Sequence, residues 1–145
     1  MKPKIVCLCG STRFIGQMAC IMWALERDEG YITLGMHLLP DSYPNVQSDH
    51  MAEHEGFKEH FDELHKRKID LADEILVINI GGYIGESTRS EIDYAIAHGK
   101  PVRYLERCPL CDHPLSDIPA ATCSLGVDCL HYPADEAGRA RIEEL

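Results

Sequence analysis

The sequence predicts an α/β domain built around a parallel sheet, and three observations carry that prediction. Short apolar runs at residues 4–9 and 75–80 lack polar alternation, as strands covered on both faces do. Stretches with apolar residues at helical spacing separate the strand candidates, and stop signals at Gly30 and Gly99-Lys100-Pro101 close two of them. The resulting order, β-α-β-α-β-α-β, implies right-handed crossovers. The architecture expected is three-layer and Rossmann-like, with a flavodoxin-like strand order and four to five strands.

Each element has its own signal. Residues 4–9 (Lys-Ile-Val-Cys-Leu-Cys) make a buried strand that runs into Gly10-Ser11-Thr12. Phe14, Met18, Ile21 and Leu25 mark the first helix, and residues 31–36 a second strand. His37 to Gln47, with Pro40 and Pro44, reads as a loop. From Ser48 to Leu71 the chain is polar with Phe57, Phe61 and Leu64 on one stripe, which predicts an exposed helix. The β-branched run Ile75–Ile80 lies between Asp73-Glu74 and Gly81-Gly82 and is the clearest strand. A third helix is expected from Ser87 or Thr88 to His98, then a short strand at Val102–Leu105. Residues 1–107 thus form the α/β domain, and 108–145 a Cys-rich extension packed on it.

Composition bounds the partners. A chain of 145 residues is a common single-domain size and can build a core without staples. The formal net charge of −10 argues against a nucleic-acid polymer, whose binding rests on neutralising many phosphates. It leaves room for one small phosphorylated ligand, which a few donors can hold. The apolar run after Met1-Lys2-Pro3-Lys4 is too short for a signal peptide or a membrane span. Seven cysteines, an odd number, fit a reducing compartment, so a cytoplasmic protein is expected. Cys7, Cys9 and Cys20 read as small core residues.

In an open parallel sheet, ligands bind beyond the carboxyl ends of the strands, where strand order reverses. In the flavodoxin-like order that point falls between the first and third strands. The loops leaving them are Gly10-Ser11-Thr12-Arg13 and Gly81 to Thr88, both rich in small polar residues and both opening a helix. Helix N-termini favour anions, and Arg13 adds a fork of donors suited to phosphate. A competing structural role is available to each loop. Ser11 and Thr12 can cap the first helix. Thr88-Arg89-Ser90-Glu91 has the pattern of a capping box, with Glu91 reaching back to the helix start.

At these residues the chain resembles the nucleoside 2-deoxyribosyltransferase superfamily, nearest the deoxynucleoside 5′-monophosphate N-glycosidase branch. Cys9-Gly10-Ser11-Thr12-Arg13 is similar to that branch's Cys-Gly-Ser-Ile-Arg. Ala72-Asp73 followed by Ile75-Leu76-Val77-Ile78 resembles its third strand. Glu91-Ile92-Asp93-Tyr94-Ala95 with Gly99-Lys100-Pro101-Val102 resembles Glu-Leu-Gly-x-Ala…Gly-Lys-Pro. The resemblance covers residues 4–106. It implies a small nucleoside or nucleotide substrate, Glu91 as a carboxylate nucleophile at the anomeric carbon, no cofactor and a homodimer. It further implies a pocket from Cys9, Gly10, Ser11, Arg13, His37, Gly85, Ser87 and Thr88. Family members carry an Asp in the helix before the third strand. Counting back from Asp73, that place falls on His65, with Asp62 one turn earlier and Asp70 on another face. The loss of that Asp keeps a second reading open, a nucleotide-sensing module without turnover. A flavin mononucleotide protein is disfavoured because the first loop lacks the longer phosphate cradle.

Two metal patterns also stand in the sequence. His50-Met51-Ala52-Glu53-His54 has an inverse zinc-protease spacing without that enzyme's context. Cys108-Pro109-Leu110-Cys111, with Cys123, Cys129, His113 and His131 downstream, has one zinc-type hook and a looser second pair. The alternative is a set of reduced cysteines in a tail. No metal is expected at the α/β site itself.

Overall fold

Residues 5–10 are the centre of the molecule because nothing in them demands water: Val6, Cys7, Leu8 and Cys9 are all at most 2% exposed. This is β1 (Ile5–Gly10). It is flanked by β2 (Ile32–Leu34) and β3 (Glu74–Ile78), with β4 (Val102–Tyr104) beyond β3. The order β2-β1-β3-β4 is all parallel, as expected for the flavodoxin-like arrangement. The structure, a computed structural model, describes residues 1–40, 42–44 and 51–107. It divides into two units, Met1–Ile78 with Gly85–Arg103, and Asn79–Ile84 with the chain from Tyr104.

β1 pairs with β2 through Ile5↔Ile32 and with β3 from Val6↔Glu74 to Gly10↔Ile78. The loops leaving β1 and β3 therefore start on one edge of the sheet. Gly10 has a packing reason as well: a Cβ there would lie 3.0 Å from the Cβ of Ile78 and 3.3 Å from its carbonyl oxygen. Gly10→Ala should cost about 1–3 kcal/mol, because a stiff β-branched neighbour cannot step aside. Thermal unfolding of the variant checks this, and an unchanged midpoint would mean the two strands part easily.

The helices are α1 (Ile15–Glu29), a short α2 (Met51–His54), α3 (Lys58–Leu71) and α4 (Glu86–Ala97). The chain moves one way from β1 to β2 and the other way from β2 to β3. Right-handed crossovers then put α1 on one face and α3 and α4 on the other. No helix among the described residues is long and apolar enough to cross a membrane.

Stop signals act as read. Gly30 ends α1 in the left-handed region (φ 68°), its N–H donating to the Glu26 carbonyl. Lys100 explains why a lysine follows Gly99. Its ammonium donates to the carbonyls of Ala72 (2.8 Å) and Asp70 (3.2 Å), the orphan acceptors at the end of α3. Asp73 in turn joins α3 to the sheet, since its carboxylate accepts from the Ile5 N–H at 2.8 Å.

Three expectations need correction. The helix read over 48–71 is broken at Gly56 (φ 79°), which separates α2 from α3. The stripe Phe57, Phe61 and Leu64 stays 53%, 38% and 38% exposed, while His65 and Ile69 are buried. The face that meets the sheet has spacing 65-69-72, one position from the stripe, and a histidine hides its start. Cys20 is exposed on α1 and is not a core residue.

Candidate functional site

β1 delivers Ser11 and a 3-10 turn, Thr12–Phe14, at the carboxyl edge. Ser11 caps this turn: its hydroxyl accepts from the Arg13 N–H at 3.3 Å and its carbonyl from Phe14. Arg13 is exposed on the turn. The chain re-enters the first unit at Gly85, which is extended (ψ 172°) and is the N-cap of α4, with no side-chain cap bond. This overturns the capping box. Thr88 is three residues inside the helix and only 2% exposed, so Thr88 and Glu91 cannot be its closing pair.

Ser87, in the first turn of α4, is half-buried and accepts from the Lys58 ammonium at 3.1 Å. Lys58 is also paired with Asp62. A lysine at the start of α3 thus holds the start of α4, a contact that the sequence did not signal because the two residues lie 29 positions apart.

One turn beyond Thr88 the α4 backbone brings Glu91 over β1, 7% exposed. Successive strand side chains alternate, so Cys7 and Cys9 share the face that α3 and α4 cover. His65 of α3 completes a cluster. Its Nε2 lies 3.6 Å from the Cys7 sulfur, 3.5 Å from the Cys9 sulfur and 3.9 Å from Glu91 Oε2.

The electrostatics follow from this crowding. Burial pushes the Glu91 carboxyl up to about 7; the His65 charge opposes the rise, and the Cys7 and Asp62 charges add to it. The Cys9 hydrogen bond, with help from His65 and Lys68, outweighs burial and brings the Cys7 thiol down to about 5. Donation to Cys7 and burial both raise Cys9. Burial works to lower His65, but the Cys7 hydrogen bond and the Glu91 charge outweigh it, so the imidazole holds its proton more firmly than usual.

Of the three groups considered for the second acidic position, His65 is the one beside Glu91. Asp62 is tied to Lys58. Asp70 is exposed, held by Arg67 at 2.9 Å and by the Tyr94 hydroxyl, and takes no part in the cluster. His37 is exposed and meets the Phe61 ring edge-on, with centroids 6.3 Å apart. The cluster therefore unites Cys9 and Glu91 with Cys7 and His65, while Arg13 and His37 stand exposed outside it. Cys7 could have been found from the Cys-x-Cys alternation on a strand.

A shallow groove lies elsewhere, lined by α1 and β2 residues such as Met22, Trp23 and Thr33. No predicted site residue lines it. His50 and the cysteines Cys108, Cys111, Cys123 and Cys129, with His113 and His131, lie outside the described residues, as does the extension 108–145. Against these observations, comparison with known proteins finds no relative: no family model, curated protein or solved structure matches the chain.

Proposed function

We propose that this chain is an N-glycosidase or deoxyribosyltransferase-like enzyme that acts on a nucleoside or nucleoside 5′-monophosphate through Glu91. The observation that carries the reading is the Glu91 carboxylate, buried beside His65 near the carboxyl edge of the central strand. In an α/β sheet that edge is where ligands bind.

Glu91 would attack the anomeric carbon as the bond to the base breaks, forming a sugar ester. Water or a second base then resolves it. His65 acts as a positioning residue that fixes the carboxylate. Ser11, Arg13, Ser87 and Thr88 supply the sugar and phosphate contacts, alongside Cys9, Gly10, His37 and Gly85 in the pocket wall. The reading includes a cytoplasmic homodimer that works without a cofactor.

A second reading, a nucleotide-sensing module, draws support from the same cluster. Among the described residues no unpaired carboxyl group takes the place of the family's second acid beside Glu91, since Asp62 is paired with Lys58 and Asp70 with Arg67. Incubation with a panel of nucleosides and 5′-monophosphates, followed by chromatography, separates the two. Released base supports the enzyme. Ligand-induced thermal stabilisation with no released base supports the sensor and ends the glycosidase reading.

Arg13→Ala should weaken a 5′-monophosphate by roughly ten- to a hundredfold, the scale of a charge-assisted contact, and the matching nucleoside much less. Titration calorimetry with both ligands reads the difference. Equal losses would remove Arg13 as the phosphate anchor.

A further inference from the structure

Cys7, Cys9 and His65 present three donor atoms to one point inside the core, and their geometry is that of a ligand set. All three atoms lie within 4.8 Å of one another. A tetrahedral zinc with ordinary Zn–S and Zn–N bonds puts sulfur and nitrogen about 3.5–3.6 Å apart. The two sulfur-to-Nε2 distances here are 3.6 and 3.5 Å. The fourth position has a neighbour of the right kind, since Glu91 Oε2 is 3.9 Å from the same nitrogen. A zinc-bound nitrogen and oxygen would be about 3.3 Å apart, so a small side-chain rotation closes the gap.

The hydrogen bonds that the sulfurs make are long and shared, at 3.5 and 3.6 Å to His65 Nε2 and 3.9 Å from Cys7 to the Leu8 carbonyl. Two thiols converge on one ring nitrogen, and a neutral imidazole nitrogen has one lone pair to offer. Cys7 and Cys9 are 0% exposed and His65 is 5% exposed, so the three donor atoms meet away from bulk water. Buried polar groups of this kind are normally paired or bound to metal. Two soft sulfur donors with an imidazole select zinc over magnesium or calcium. The ligands come from two regular elements, β1 and α3, and the side chain of Glu91 beside them is 10% exposed.

We propose that Cys7, Cys9 and His65 bind one zinc ion, with the fourth coordination position facing Glu91. On binding, whatever protons the two sulfurs and the His65 Nε2 carry leave to solvent, so that two thiolates balance the charge of the ion and His65 binds as neutral imidazole. The site does not rest on the glycosidase reading, and its test reads the metal rather than turnover. A bound ion would hold the Glu91 carboxylate away from a sugar, so zinc should inhibit any base release that the protein shows.

The test uses the full chain, reduced and equilibrated with zinc, then measured for zinc per protein. The cysteines beyond residue 107 make the comparison with variants essential. Wild type should carry one zinc more than Cys7→Ser/Cys9→Ser, and one more than His65→Gln. Equal zinc contents would overturn the proposal. Because a core variant can fail to fold, alkylation is also followed on the wild type by mass mapping. Zinc at about a hundred times its dissociation constant should slow alkylation of Cys7 and Cys9 about a hundredfold. Exposed Cys20, outside the cluster, should react at the same rate with and without the ion. Unchanged rates at Cys7 and Cys9 would equally overturn it.

Discussion

Glu91→Gln should abolish base release while leaving the protein folded and, above neutral pH, more stable than wild type. The amide keeps the shape and volume of the buried side chain but cannot bond to an anomeric carbon, so turnover should fall by several orders of magnitude. The stability effect has a definite sign. Burial first, then the Cys7 and Asp62 charges acting against His65, raise this carboxyl from 4.5 to about 7. The folded state therefore binds the proton more tightly than the unfolded chain. Its contribution is complete below the unfolded value and is lost as pH rises through about 7. Gln removes that loss, so the melting temperature of the variant should decline less between pH 5 and pH 8. A turnover profile that climbs through the same region would agree, because the nucleophile must be ionised. Base release by Glu91→Gln at the wild-type rate would exclude the glycosyl-ester mechanism.

The separation of these two readouts matters because the cluster is both core and candidate site. Cys7 and Cys9 belong to the most buried strand, and His65 and Glu91 are the polar groups packed on it. A substitution that merely damaged packing would lower activity and stability together. The isosteric amide is expected to move them in opposite directions above pH 7.

The strands were legible because their signals are local. An unbroken apolar run such as 75–78 fits only an element covered on both faces, and Gly30 stops α1 whatever the rest of the chain does. The β-α alternation implied parallel strands, which put the loops leaving the first and third on one edge; the strand order was the flavodoxin-like one expected for such a sheet. What was hidden depended on a helix face or a starting register. The buried face of α3 begins at His65, which hydropathy assigns to solvent, while the apolar Phe57 and Phe61 lie beside it in the open. The Thr88-to-Glu91 spacing matches a capping box. Yet Gly85 is the N-cap, so Thr88 is already the third helical residue and Glu91 the sixth, past any reach back to the helix start. Glu91 and His65 were named from the resemblance, but their contact, and the presence of both sulfurs, required α3 and α4 to be docked on β1. Lys58 has no sequence signal for the same reason.

In the second unit, Asn79→Ala should be the most destabilising single change among the described residues there. Asn79 is fully buried, and its side chain makes a reciprocal pair with the Glu106 backbone. Its Nδ2 donates to the Glu106 carbonyl and its Oδ1 accepts from the Glu106 N–H, each at 2.9 Å. The Glu106 carboxylate closes the turn by accepting from the Gly81 N–H at 2.8 Å. Alanine leaves one donor and one acceptor of the part-buried Glu106 backbone without these bonds, at about 1–2 kcal/mol each. The expected total is about 2–4 kcal/mol, which lowers the melting temperature by roughly 5–15 °C. Asn79→Asp discriminates further. It keeps the acceptor for the Glu106 N–H but sets a carboxylate against the Glu106 carbonyl, so its deficit should shrink as acid protonates the new group. A melting temperature for Asn79→Ala within a degree of wild type would show that this turn is held by other contacts.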